Sequence, residues 1–157
     1  MALLSRLRRA APPQTMASSV PVLPLAPVRQ LLPHQKLRDT SGTVYEVACR
    51  GSGADAFFSA SDVGAALGLD DPACDYVLNS EFLEPGSDYV IMQGDPPRSL
   101  WLTYEGLMRV MFDSTAPVAE EFKDNVTKIL CAAHTGTPAQ RAALADQMVA
   151  GKPWPAV

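Results

Sequence analysis

The sequence predicts an α+β fold, a small domain with two β-hairpins and four to five helices, preceded by a disordered basic arm. Paired runs of β-branched and aromatic residues around Gly- or Pro-containing turns predict the hairpins. Apolar residues at helical spacing, bounded by capping residues and glycines, predict the helices. The chain has 157 residues, 47% of them hydrophobic, which is enough for one packed domain. We place this domain at residues 43–151, after an arm at 1–42 and before a tail at 152–157.

The arm is predicted from proline content and charge. Residues 1–36 hold six of the fourteen prolines and show no sustained periodicity, which is typical of disordered chain. Residues 1–42 have one acidic residue, Asp39, against six basic ones, a net charge of +5: Arg6, Arg8, Arg9, Arg29, Lys36 and Arg38. Residues 43–136 have fifteen acidic and five basic residues, a net charge of −10. The sequence therefore describes a basic arm on an acidic body.

Three roles for the arm stay open at this point. Its cations could contact nucleic acid, or they could only keep the chain soluble. The first residues are also Arg-rich and free of acidic residues, as organelle transit peptides are. Met16 is an alternative start that would remove this stretch.

The first half of the domain reads as a hairpin followed by two short helices. A strand at 43–49, a turn at 50–53 and a returning strand at 56–59 form the hairpin. Ser59, with Asp62 three residues later, predicts a reciprocal capping box, and Gly68 ends the helix that follows. Asp71 and Pro72 predict the start of a second short helix, because proline is tolerated in the first turn.

The second half reads as another hairpin followed by three helices. Strands at 88–92 and 99–102 flank a Gly-Asp-Pro-Pro turn. Thr103 caps a helix whose predicted buried stripe is Tyr104, Leu107, Met108 and Met111. Pro117 opens a longer helix that ends at Gly136, with a predicted apolar face of Phe122, Val126, Ile129, Leu130 and Ala133. A final helix runs from Thr137 to Ala150.

The cysteines and histidines indicate neither a metal site nor a disulfide framework. Cys49, Cys74 and Cys131 are odd in number and have no metal-ligand spacing, which favours a reducing, intracellular location. We expect Cys49 and Cys131 in the core. No nucleophile–base pair or phosphate-binding Gly-rich loop is apparent, so we expect no enzymatic activity and no cofactor. The longest apolar stretch, 20–28, contains three prolines and is too short to span a membrane, for which ~20 residues are needed.

Two sequence blocks carry a resemblance to a viral family. Residues 57–68 read FFSASDVGAALG, and residues 102–112 read LTYEGLMRVMF. Together with the order of hairpins and helices, they resemble the Bro-N domain, related to KilA-N, of large DNA viruses, in the subgroup of algal viruses, entomopoxviruses and iridoviruses. The resemblance covers about residues 43–151. It implies a DNA-associated viral protein, and we expect a standalone module without the family's downstream domain.

The resemblance departs from the family at one functional stretch. Where members of the family commonly carry Arg and Lys after the second block, residues 112–122 read FDSTAPVAEEF. Of the remaining cations, Arg109, Lys123 and Lys128 have carboxylates three or four residues away on their helices. Arg50 and Arg98 are expected on hairpin turns without close local partners. We therefore expect phosphate contacts from Arg50, Arg98 and the six cations of the arm.

Two functions follow as hypotheses. The first is non-enzymatic nucleic-acid binding, with DNA as the expected ligand, by a viral module in replication or transcription control. The second is an acidic protein-interaction module that no longer binds DNA, whose acidic body binds a basic partner or another copy of itself. We expect the protein inside the host cell, in the nucleus or cytoplasm, with no membrane partner.

Overall fold

The computed structural model describes residues 19–31, 35–94 and 98–150. It confirms the α+β class and contains eight short strands and five α-helices over these residues. The strands are β1 (Val22–Leu23), β2 (Val28–Arg29), β3 (Leu37–Arg38), β4 (Val44–Tyr45), β5 (Cys49–Arg50), β6 (Phe57–Ser59), β7 (Tyr89–Met92) and β8 (Ser99–Thr103). The helices are α1 (Ala60–Ala66), α2 (Asp75–Leu78), α3 (Tyr104–Asp113), α4 (Pro117–Thr135) and α5 (Pro138–Ala150).

Six strands form one sheet in the order β1-β7-β8-β6-β5-β2. The pairings are antiparallel except for that of β1 with β7. Strands β7 and β8 form the second predicted hairpin, and β5 and β6 form the first only in part. The predicted strand at 43–49 is not continuous, because Val44 and Tyr45 pair with β3 and only its last residue, Cys49, pairs with β6. Strands β3 and β4 make a separate two-stranded sheet. Apart from this additional antiparallel pair, the order of hairpins and helices is the one that the sequence predicts.

Part of the predicted arm belongs to the folded body. Both edge strands of the large sheet, β1 and β2, come from residues 1–42, and so does β3. The Pro21 carbonyl accepts a hydrogen bond from the Ile91 amide at 2.9 Å, and the Leu23 carbonyl accepts one from Gln93 at 3.1 Å. Prolines are tolerated here because an edge strand leaves some amide positions without a ladder partner. The prediction of disorder is therefore wrong for residues 19–31 and 35–42, whereas residues 1–18 and 32–34 lie outside the described chain.

Helices and strands enclose two apolar clusters on opposite faces of the sheet. Neighbouring residues of a strand point to opposite faces, so Leu102 lies in the main cluster and Trp101 in the smaller one. The main cluster contains the buried side chains of α1 and α3, which are Ala60, Val63, Ala66, Leu107, Val110 and Met111. The smaller cluster consists of Val90, Met92 and Trp101, with Leu23 and other residues packed against it. The N-terminal chain thus supplies part of the cover for the second face.

Helix caps explain why the helices begin where they do. The Thr103 hydroxyl accepts a hydrogen bond from the Gly106 amide at 3.1 Å, as predicted. Ser59 caps α1 by accepting from the Asp62 amide at 3.3 Å. The reciprocal half of this predicted box is absent, because the Asp62 carboxylate accepts from the Ala48 amide at 2.9 Å instead. The second short helix begins at Asp75 rather than at Pro72, which lies in a turn.

Burial along α3 and α4 differs from the predicted stripes. Tyr104 is 52% exposed because it is the first residue of α3, and the buried residues are Gly106, Leu107, Val110 and Met111. Helix α4 is fully buried only near its start, at Val118 and Ala119. Farther along, the predicted apolar face is half-buried or exposed, and Leu130 is 51% exposed. Cys131 is exposed rather than in the core, because it lies on the opposite side of α4 from that face.

Candidate nucleic-acid interface

Two of the predicted phosphate-binding cations line one surface cleft. The cleft has a volume of about 590 Å³ and lies between the end of β2, the chain before β3 and the start of α1. We call it the basic-arm cleft, and its walls are Arg29, Gln30, Leu31, Lys36, Glu46, Val47, Ala48 and Asp62. The pairing of β2 with β5 and of β3 with β4 therefore brings Arg29 and Lys36 to the same site.

Of the two cations of this cleft, Arg29 has the fewer partners for its charged group. Its guanidinium makes no hydrogen bond or ion pair with any residue that the structure describes. Its charge acts on Cys49, where burial raises the pKa of the thiol and Arg29 opposes that rise. Lys36, in contrast, forms an ion pair with Glu46. The Lys36 side chain is 29% exposed and that of Glu46 is 76% exposed, so this pair is a surface interaction.

Arg38 lies on β3 next to an ordered carboxylate. The pKa of Asp39 is lowered to about 2, chiefly because the Ser41 hydroxyl donates a hydrogen bond to it at 2.6 Å. Burial works in the opposite direction, and the Thr43 amide and the Tyr45 hydroxyl also donate to this carboxylate. Asp39 is therefore anionic at neutral pH and offsets part of the charge that Arg38 contributes.

Arg50 does not lie free on a turn, and this prediction is wrong. It is part of β5, its guanidinium donates to the Ala26 carbonyl at 2.7 Å, and it lies 5.4 Å from the centre of the Trp101 ring. The Nε of Arg50 is buried and has no hydrogen-bond partner among the described residues. Arg50 thus ties the chain before β2 to the smaller apolar cluster, and little of its charge is available to a ligand.

Arg98 has the position that the sequence predicts. It is exposed on the loop between β7 and β8 and has a left-handed φ of 59°. It makes no hydrogen bond or ion pair with the described part of the chain. Arg6, Arg8 and Arg9 lie outside the described residues.

Of the ion pairs predicted for Lys128, Lys123 and Arg109, the first two are confirmed. Lys128 pairs with Asp124 at 2.6 Å, and Lys123 pairs with Glu120 at 2.9 Å. Arg109 pairs with neither Glu105 nor Asp113. It binds the fully buried carboxylate of Asp88 at 3.1 Å, and no helical spacing in the sequence indicates this partner.

A second cleft was not indicated by the sequence. It has a volume of about 340 Å³ and lies between α2, the segment after it and the end of α3. Its apolar wall includes Leu69 and Phe82, which are 41% and 43% exposed. Two carboxylates, those of Asp75 and Asp113, complete the wall, and we call this site the acidic-apolar cleft.

Two further observations concern metal binding and membrane-spanning helices. No group of three His, Cys, Asp or Glu residues within 19–31, 35–94 and 98–150 is arranged to hold a metal ion. Over the same residues, each helix is too short or too polar to cross a membrane.

The chain is similar to two proteins of Acanthamoeba polyphaga mimivirus. It is 28% identical over 131 residues to uncharacterized protein L12, a match that covers 74% of this chain and 27% of the relative. It is 27% identical over 134 residues to uncharacterized protein L5, covering 73% of this chain and 29% of the relative. The chain therefore spans less than a third of these relatives. The similarities support an origin in a large DNA virus.

No protein-family model matches the chain. No solved structure matches it either. The resemblance to Bro-N and KilA-N thus stays a prediction from the two sequence blocks.

Proposed function

We propose that this protein is a non-enzymatic nucleic-acid-binding module of the Bro-N and KilA-N-related class, with duplex DNA as its ligand. Viral replication or transcription control is the role that the family resemblance implies. The observation that carries the proposal is the placement of Arg29, without a partner among the described residues, beside Lys36 in the basic-arm cleft. Unpaired guanidinium groups are suited to phosphate oxygens, which they bind in bidentate geometry.

The ion pair of Lys36 does not prevent this role. Exposed pairs of this kind stabilise a protein by only about 0–1 kcal/mol. A phosphate can therefore replace Glu46 as the partner of Lys36 at small cost. Glu46 and Asp62 also line the cleft and balance its two cations, so Arg29 is the group that would chiefly hold the phosphate.

Arg6, Arg8 and Arg9 supply the remaining charge. They precede the described chain by ten residues or more, so they can reach phosphates beyond the cleft. Each phosphate contact releases bound counterions, which makes affinity strongly dependent on salt. Arg98 is a further contact on a separate loop, whereas Arg50 acts structurally.

The test compares charge-removing variants of the full chain for binding to fluorescently labelled duplex DNA. We expect R29Q/K36Q and R6Q/R8Q/R9Q each to weaken binding at least about tenfold, since several phosphate contacts are lost. K128Q is the control, because Lys128 lies on α4 and does not line the basic-arm cleft. Equal affinity of all three variants and the unmodified chain would contradict the proposal.

One observation favours a second candidate, the acidic protein-interaction module. The acidic-apolar cleft combines exposed Leu69 and Phe82 with Asp75 and Asp113. This combination suits a cationic, partly apolar segment of another protein. Failure of DNA binding together with capture of a basic peptide that L69S/F82S abolishes would favour this candidate.

A further inference from the structure

A third cleft lies where the described chain begins. It has a volume of about 430 Å³ and is bounded by β1, the turn before β6, the turn before β7 and the start of α3. We call it the N-terminal cleft, and the residues that matter here are Pro21, Asp55, Phe57, Gly86, Tyr104 and Glu105. Pro21 packs against Gly86, where an added Cβ would lie 3.1 Å from the Pro21 ring. Pro21, near the start of the described chain, therefore forms part of the wall of this cleft.

The N-terminal cleft carries two carboxylates without partners. Asp55 and Glu105 make no side-chain hydrogen bond or ion pair with any described residue. Every other wall residue is neutral. The cleft therefore has a net charge of −2 at neutral pH and attracts cations.

Tyr104 gives the cleft an uncovered aromatic surface. Its ring packs against Phe58, with 6.3 Å between the ring centres, but the residue is still 52% exposed. Tyr104 and Glu105 both line the cleft, so an exposed aromatic ring and a carboxylate share one wall. A guanidinium group beside a carboxylate can cover such a ring by a cation–π contact.

We propose that residues 1–18 dock in the N-terminal cleft through Arg6, Arg8 and Arg9, and that nucleic acid releases them. The charges are complementary, since this segment has three arginines and no acidic residue. Arg9 is twelve residues from Pro21, so the chain between them can span up to about 40 Å and reaches any part of the cleft. Attachment to the same chain raises the local concentration of these arginines to about the millimolar range.

The release of residues 1–18 by nucleic acid rests on the proposed function, whereas their docking in the N-terminal cleft does not. Docked arginines are neutralised by Asp55 and Glu105, and DNA offers a higher density of negative charge. The cleft would then lower the apparent affinity for DNA, because binding requires displacement of the segment. It would also restrict binding to polyanions that compete with two carboxylates.

A spin label on the segment tests the docking directly. The full chain with A10C and C131S accepts the label at residue 10 only, because Cys49 and Cys74 are buried. We expect the label to broaden the backbone amide NMR signals of Asp55 and Glu105 in the absence of DNA. D55N/E105Q should reduce this broadening, while the control D75N/D113N, with the same change of charge at the acidic-apolar cleft, should not.

Several outcomes would overturn the inference. Unbroadened signals at the cleft mean that the segment does not dock there, and equal broadening in both double variants means that the charges do not hold it. Broadening in a mixture of isotope-labelled and spin-labelled chains means docking between copies. If the segment docks but duplex DNA fails to sharpen the signals, release by nucleic acid is wrong, and direct DNA titration shows whether the proposed function fails too.

Discussion

The guanidinium of Arg109 donates a hydrogen bond to the fully buried carboxylate of Asp88 across 3.1 Å. The same oxygen accepts the Glu84 amide at 2.8 Å, and the guanidinium also donates to the Phe82 carbonyl at 3.2 Å. Arg109 therefore fastens α3 to the segment that precedes β7. The second carboxylate oxygen of Asp88 is buried without a hydrogen-bond partner among the described residues, so this carboxylate depends on Arg109.

Arg109→Leu is expected to destabilise the fold by about 2–4 kcal/mol, because it leaves a buried carboxylate without its counter-ion. Arg109→Lys should recover part of the loss, since an ammonium group restores the charge but not the contact with Phe82. Urea unfolding of the three proteins measures both effects. A cost of R109L below about 0.5 kcal/mol, the range of ordinary surface substitutions, would show that Asp88 does not need this partner.

Gly106→Ala is expected to destabilise the protein by about 3 kcal/mol or more, because the added carbon meets backbone that cannot move aside. The Cβ would lie 1.9 Å from the Asp88 carbonyl oxygen, where the second hairpin approaches α3. Gly68→Ala is the control, since Gly68 has φ +76° and open space around it. That substitution should cost only the strain of a left-handed residue, about 1–2 kcal/mol. The melting temperatures of the two variants measure this difference. A larger loss of stability in G68A than in G106A would contradict the packing at Gly106.

The lowered pKa of Asp39 predicts that part of the protein's stability is lost in strong acid. Its pKa is lowered from 3.8 to about 2, so the carboxylate stabilises the fold above pH ~4, and this contribution disappears as the pH falls through about 2. In D39N, the melting temperature should fall less steeply between pH 4 and 2 than in the unmodified chain. An NMR titration of the Asp39 carboxyl with a midpoint near 3.8 would contradict the hydrogen-bonded turn.

Met111→Ala and Leu130→Ala should differ sharply in their effect on stability. Met111 is fully buried, and its truncation should cost about 2–5 kcal/mol. Leu130 is 51% exposed on the outer part of α4, so its truncation should cost less than about 1 kcal/mol. Comparable losses in chemical unfolding would mean that the far half of α4 is covered in solution.

The order of elements could be predicted because its signals are local. Caps such as Thr103, glycines after helices and alternating strands lie within a few residues of the structure they specify. Strands β1, β2 and β3 were missed because two-residue strands carry no periodic pattern, and their pairings, such as Val22 with Ile91, join distant residues. Helical spacing identified which residues of α4 share a face, but it does not indicate whether another element covers that face.

The candidate site could be predicted only as a set of charges. Sequence spacing found the pairs of Lys123 and Lys128, which are three or four residues from their partners. It could not find Asp88 for Arg109, 21 residues away, or Ala26 for Arg50, 24 residues away. Arg29 and Lys36 meet in one cleft because β2 pairs with β5 and β3 pairs with β4, and no local motif encodes those two pairings.

The central claim is that the N-terminal cations bind the phosphates of nucleic acid. A chain shortened to Thr43 would lose β1, β2 and β3, so the full chain is the right material. We would measure the fluorescence anisotropy of labelled duplex DNA at about 50 and 200 mM salt, where each phosphate contact contributes about 0.9 to the logarithmic salt slope. The account predicts binding at the lower salt that falls at least about tenfold at the higher salt. No binding at the lower salt, or binding that salt does not weaken, would contradict it.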